Sequence, residues 1–300
     1  MAERKMGIVG ATGFIGGKLA ERAVRDGWTV CGFSRSGSGK SPVIREWRPW
    51  TSTPDLSGFE AIVNLSGHPI DSRWNEKNRR LFRESRVGTT QILGEAFRAL
   101  PAEKRPAVLV NGSAVGIYGD RGDEILDDSS SPGKGYLAGL CQEWEAAAHP
   151  AEDLGIRVAQ IRTGVVLGRG GAAFEKMSQL FKLGLGGRLG SGGQWMPWIH
   201  VQDLADGILH IVGHPRLFGP VNGSAPEPVR NEEFTRQLAR ALRRPAFLHV
   251  PPFALKVILG GFASAVLEGQ RAIPRALLES GYQFSFPELP AALHDLILEG

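Results

Sequence analysis

The stretch GATGFIG, residues 10–16, limits what this chain can fold into more than any other. It follows the short apolar run MGIVG and leads into FIGGKLAERAVRDG, where apolar residues recur with helical period until Gly27. Strand, glycine turn and helix thus follow one another without a spacer. Glycines at 10, 13 and 16 let the backbone turn tightly and approach a pyrophosphate, whose charge meets the free N–H groups of a helix N-terminus. A triple glycine alone also serves as a plain packing turn. Between a buried strand and a helix it reads as a dinucleotide site, formed by Gly10, Thr12, Gly13, Phe14, Ile15 and Gly16.

The rest of the chain repeats the alternation. WTVCGFSR, AIVNLSG, AVLVNGSAVGIYG and RVAQIRTGVVLG read as buried strands, with helical stretches between most of them. This predicts an α/β fold, a doubly wound parallel Rossmann sheet covered on both faces. From about residue 166 the texture changes to a glycine-rich loop, GLGGRLGSGGQ at 184–194, and a more helical tail. The expected division is a Rossmann domain over 1–165 and 196–222, with a smaller substrate-binding C-terminal part over 166–195 and 223–300. At 42% hydrophobic residues the chain can bury a full core.

The second strand ends on Ser34, Arg35 and Ser36, where an acidic residue would favour NAD. A guanidinium cannot accept from ribose hydroxyls, but its planar fork suits a 2′-phosphate, which hydroxyls can also bind. NADP(H) is therefore the expected cofactor, unless Arg35 only stacks on adenine or points to solvent. SGSGKS at 36–41 fails as a P-loop, because Ser34 stands where its first glycine belongs and Pro42 where a helix should begin.

The net charge of +4 is spread among acids, and the basic stretch EKNRRLFRESR at 76–86 reads as a solvated helix face, so no nucleic-acid partner is expected. Cys31 and Cys141, without metal spacing, suit a reducing compartment. His210 and His214 lack the glutamate of a zinc helix, and no metal is expected. No apolar leader is seen at the N-terminus, and the most membrane-like stretch, PPFALKVILGGFASAVL from 251, falls short of a span. It reads as a helix in a core or a subunit contact. The expectations are a cytoplasmic protein, a homodimer, and no membrane partner.

With GATGFIG, VNLSG at 63–67, NGSAVGIYG at 111–119 and IHVQDLADGI at 199–208, the chain resembles the extended short-chain dehydrogenase/reductases, which include nucleotide-sugar epimerases and dehydratases. RVGTTQIL, CQEWEAAA and LLESGYQF resemble an atypical subgroup named for sugar-nucleotide epimerases, with a short extra domain here spanning about His249 to Leu298. The resemblance covers nearly the whole chain. It implies that Leu65, Ser66 and Gly67 border the cofactor and that Ser113 orients the substrate, unless its hydroxyl only closes the strand end. It also implies a tyrosine that moves a proton and, four residues on, a lysine that lowers the tyrosine's pKa.

GKGYLAGLCQEWEAAA at 133–148 has the tyrosine and lacks the lysine. If Tyr136 is the acid, Leu140 stands at the lysine position. If the helix pattern sets the register, the two positions are Leu137 and Cys141, and a cysteine there resembles the subgroup. The second is preferred, because Leu137, Leu140, Cys141, Trp144 and Ala148 share one apolar face. An unaided tyrosine titrates near 10, and activity at pH 7 requires about 4 kcal/mol of differential stabilisation. Neither Leu140 nor Cys141 supplies a cation, and Lys134 lies in a loop. By resemblance Arg86 offers a positive charge near the nicotinamide, or else pairs with Glu84 or another acid.

Trp195, Met196 and Trp198 either wall an apolar substrate pocket or belong to the core. His200 resembles a residue flanking the substrate, the alternative being a hydrogen bond to Asp203 as helix cap. The expected function is an NADP(H)-dependent oxidoreductase or epimerase-like enzyme on a small substrate, free or nucleotide-linked, without the usual tyrosine–lysine pair, with Ser113, Tyr136 and Cys141 as catalytic candidates. The alternative is a non-catalytic NADP(H) sensor or partner-binding protein.

Overall fold

The computed structural model describes residues 4–298. Seven parallel strands form the central sheet: β1 (Lys5–Val9), β2 (Thr29–Ser34), β3 (Glu46–Pro49), β4 (Ala61–Asn64), β5 (Val108–Ala114), β6 (Arg157–Thr163) and β7 (Gly219–Gly223). Their order is β3-β2-β1-β4-β5-β6-β7, with Gly7 opposite Cys31 on one side and Ile62 on the other. The chain reverses direction across the sheet between β1 and β4. A crevice opens beyond the strand ends at such a switch point, and there the Gly10 turn meets Leu65 and Gly67 meets Arg86.

Helices cover both faces, as the buried strands require. On one face α1 (Phe14–Arg25) packs beside α6 (Val201–Gly213), through Leu19, Ala20 and Ala23 of α1 and Ile208 of α6. On the other, α2 (Glu76–Arg83), α3 (Thr89–Ala99) and α4 (Tyr136–Ala146) follow β4 and β5, and Leu93 and Phe97 of α3 meet Leu109 of β5. Each such fully buried side chain contributes about 1.5–3 kcal/mol.

The C-terminal part has its own core. Phe174 and Phe181 of α5 (Ala172–Lys182), Phe234 and Leu238 of α7 (Asn231–Leu242), and Leu293 of a terminal helix over Leu289–Leu298 enclose Trp198. The intervening segment returns to the sheet domain: Arg271–Ala272 pairs with Ile125–Leu126, and Leu277 and Tyr282 join the core beneath α6. Of the two readings of the stretch from 251, core helix or subunit contact, the core reading does not hold. Its helix α8 (Pro252–Leu259) buries only Leu255 and leaves Phe253, Val257 and Ile258 in solvent. Among the described residues no helix is long and apolar enough to cross a membrane.

Candidate functional site

The glycine turn is built for close approach. Gly10 has φ +86°, and a Cβ there would lie 2.8 Å from the Leu65 carbonyl oxygen. A Cβ on Gly16 would stand 2.3 Å from the Gly10 carbonyl oxygen, so α1 can start this close only with glycine. Gly13 caps α1 without a side-chain acceptor, and α1 carries no acid in its first turn. Its first N–H groups are thus left for an anion. Thr12 is exposed beside them, Phe14 and Ile15 are half-buried, and the Phe14 ring fills the space over Gly168 and Gly171.

At the end of β2, Ser34 donates to the Ser38 carbonyl at 2.6 Å, and Ser36 lies 3.0 Å from the Ser38 hydroxyl. Arg35 is exposed and forms no ion pair among the described residues. This leaves a cation flanked by hydroxyls at the end of β2.

Beyond β4, the Ser66 hydroxyl sits 2.7 Å from Asn64 Oδ1 and 3.0 Å from the Ser85 carbonyl. Gly67 faces Arg86, and a Cβ at 67 would come within 3.0 Å of the guanidinium. Arg86 belongs to a π-helical turn, Glu84–Gly88, between α2 and α3, a device that recurs at functional sites. It donates to the His68 carbonyl at 3.1 Å and the Phe82 carbonyl at 3.3 Å, and lies 5.3 Å over the Trp144 ring. No acid pairs with it among the described residues, since Glu84 pairs with Arg80. Burial pushes its pKa below the usual guanidinium range, yet an arginine stays charged at any physiological pH.

The two registers of α4 face different neighbours. Leu137 lies against Gly116, and Cys141 packs with Val115, Ile117 and Tyr118 after β5. Tyr136 and Leu140 point instead to Phe82, Trp74 and Trp144. The Tyr136 ring sits 5.0 Å from Trp74, under the Arg79 guanidinium at 4.6 Å, and burial raises its hydroxyl pKa. Burial pushes the Cys141 thiol up to about 12, so it is neutral and cannot replace a lysine. Lys134 is exposed in its loop.

Ser113 does not open toward a substrate as expected. Its hydroxyl is buried and donates to Glu145 Oε1 at 2.6 Å. Glu145 in turn receives a two-pronged bond from Arg162, at 2.8 and 2.9 Å, and Arg162 also donates to the Tyr118 hydroxyl at 2.9 Å. Asn222 Oδ1 lies 2.7 Å from that hydroxyl, whose pKa burial raises to about 12. Sequence reasoning missed this network. Its one signal was Arg162 itself, a charge inside the apolar run VAQIRTGVV, where burial demands a partner.

Other candidates separate similarly. Trp198 is fully buried, donates to the Glu227 carbonyl at 3.0 Å, and has no surface for a ligand. Trp195 is half-buried, near the guanidiniums of Arg230 and Arg271 at 4.7 and 4.6 Å, and donates to Asp123 at 2.7 Å. It lines a cavity of about 320 Å³ with Pro226, Glu227 and Arg271. His200, not Asp203, caps α6: its Nδ1 accepts from the Gln202 N–H at 3.2 Å. Its Nε2 faces Asp295 at 3.2 Å without good hydrogen-bond alignment, and its ring lies 4.1 Å from Phe286. Asp203 accepts from the Ser285 and Phe286 N–H groups. Both therefore hold the C-terminal segment against α6. His210 stacks on His214, and no cluster suited to a metal ion exists among the described residues.

Comparison with known proteins agrees with this geometry. The profile of the NAD dependent epimerase/dehydratase family matches residues 6–222, and that of a domain of unknown function, DUF1731, matches residues 250–296. The chloroplastic homolog of Epimerase family protein SDR39U1 from Arabidopsis thaliana is 40% identical, over 99% of this chain and 87% of its own. The crystal structure of human epimerase family protein SDR39U1 (isoform2) with NADPH superposes with a TM-score of 0.90 at 37% identity, over 98% of this chain and 99% of its own. A nucleoside-diphosphate sugar epimerase from Corynebacterium glutamicum gives 0.79 at 31% identity, covering 99% of this chain and 58% of that one.

Proposed function

Because the chain belongs to the NAD-dependent epimerase/dehydratase family, we propose that it binds NADP(H) and passes hydride between that cofactor and a small-molecule substrate. The residues fit the cofactor. Gly10, Gly13 and Gly16 leave the space that a Cβ would fill, the free first turn of α1 suits a diphosphate, and Ser34, Arg35 and Ser36 suit a 2′-phosphate. The human relative's NADPH supports the same choice. NADPH supplies a hydride at the nicotinamide C4.

The observation that carries the enzymatic reading is Arg86. A guanidinium withdrawn from water without an acid partner is costly, and it is retained where a ligand completes its shell. Its place against Gly67, beyond the end of β4, supports a position beside the nicotinamide rather than the adenosine. There it stabilises negative charge developing on a substrate oxygen, the task for which most relatives use a tyrosine and lysine. Tyr136 remains protonated beside Arg79 and carries a hydroxyl on this side of α4 that can donate a proton. Ser113 orients the wall through Glu145 instead of the substrate directly.

The competing reading, a non-catalytic NADP(H) sensor, draws on Leu137 and Cys141, neither of which moves a proton at neutral pH. A hydride trace separates the two. The protein is incubated with NADPH deuterated at C4, in each stereochemical form, and a cellular metabolite extract. Deuterium in a metabolite, absent without protein, establishes the enzyme and names its substrate. Binding of NADPH with no deuterium transfer leaves the sensor.

A further inference from the structure

Six large apolar side chains stand in solvent on two segments that the fold lays side by side. Gly187–Leu189 pairs in parallel with Leu248–Val250, Gly187 lying opposite Leu248. Leu183 and Leu185 precede the first of these strands, Phe247 precedes the second, and α8 follows it with Phe253, Val257 and Ile258. Their exposures run from 54 to 80%. Such a concentration is unusual for a surface with nothing to cover it.

The charges carried by these two segments themselves have one sign. Lys182, Arg188, Arg243, Arg244 and Lys256 are all exposed, and none forms an ion pair among the described residues. Neither aspartate nor glutamate occurs from residue 176 to 202 or from 234 to 267. A second copy of the chain would bring like charges together across a two-fold axis. A protein partner would bury Lys182 and Lys256 among the apolar side chains, a position from which lysine is depleted in protein interfaces. A bilayer surface suits both features, because apolar side chains enter the acyl boundary while lysine stems lie along it and their heads meet phosphates.

We propose that this face seats the protein peripherally on an anionic lipid surface. The proposal is independent of the reaction, and it departs from the expectation of no membrane partner. It requires no span, which α8 at eight residues cannot provide.

The full chain is sedimented with vesicles of phosphatidylcholine containing phosphatidylglycerol, and with phosphatidylcholine alone. The expected result is partition onto the anionic vesicles, reduced by salt and weak on the neutral ones. Phe253→Ser/Val257→Ser/Ile258→Ser abolishes it, and Lys182→Gln/Lys256→Gln weakens it roughly thirtyfold. NADPH binding, unchanged in both variants, shows that they fold. Three results overturn the proposal: no partition onto anionic vesicles, equal partition onto both kinds, or wild-type partition by both variants. Concentration-dependent dimerisation lost in the triple variant, without vesicle binding, assigns the face to a second copy. Capture on immobilised polyglutamate without vesicle binding assigns it to an acidic protein.

Discussion

Arg86 and Arg162 are both drawn out of water, and their surroundings are opposite. Arg162 lies in the wall between β6 and α4, its fork matched by both oxygens of Glu145 and its remaining donors turned to Tyr118 and the Asp128 carbonyl. Arg86 lies beyond the end of β4 with two backbone carbonyls and, among the described residues, no carboxylate. A buried charge that is fully matched belongs to the framework, whereas one left unmatched at a crevice implies a ligand. The wall is complete in itself; the crevice is not.

The largest expected effect is on the wall. Glu145→Gln leaves the Arg162 charge uncompensated and should lower stability by about 3–5 kcal/mol in chemical denaturation. The double variant Glu145→Gln/Arg162→Met should recover much of that loss. A single variant as stable as wild type would break the comparison.

Arg86→Met should do the reverse. Stability should change by less than about 1 kcal/mol, because no ion pair is broken. Hydride transfer, once the trace supplies a substrate, should fall by roughly 10²–10³-fold. Loss of stability comparable to that of Glu145→Gln would place Arg86 in the framework instead.

Arg35→Ala sharpens the contrast at the adenosine end. Losing a charge-assisted contact worth about 1.5–3 kcal/mol should weaken NADPH by roughly ten- to a hundredfold and leave NADH almost unchanged, as read by calorimetric titration. Equal losses for both nucleotides would remove the 2′-phosphate role.

The smallest effect is expected at Cys141. With a thiol raised to about 12 and the thiolate as the reactive form, alkylation of the folded protein by iodoacetamide should stay negligible from pH 7 to 9. Labelling that rises steeply in that range would mean a charged group at the lysine position after all.

How much of this was legible follows from how local each signal is. The glycine turn, the strand alternation and the hydroxyl–arginine–hydroxyl end of β2 each lie within a few consecutive residues, and the expected sheet and turn stand as read. The Ser113–Glu145–Arg162 network joins residues 17 and 32 positions apart, through a strand register no local pattern prints. Trp195 and Trp198 illustrate the same limit. Three positions apart in one aromatic cluster, they part company because one meets the C-terminal core and the other two arginines. For His200 and Asp203 the cap was assigned to the wrong residue: the His200 Nδ1 accepts from the first turn of α6, while Asp203 accepts from the backbone of residues 285 and 286, far away in sequence.

The π-helical turn carries one more consequence. There Thr89 reaches back five residues to the Glu84 carbonyl, while the Thr90 hydroxyl satisfies the Arg86 carbonyl. Such a turn is a surplus residue inside an otherwise regular helix, and it acts as a phase shift between α2 and α3. Deleting one residue there would rotate α2 by about 100° against α3 and carry the guanidinium off Gly67, with α3 still seated on the sheet. Insertions and deletions at this point therefore offer the chain a way to switch the crevice chemistry while its architecture stays the same.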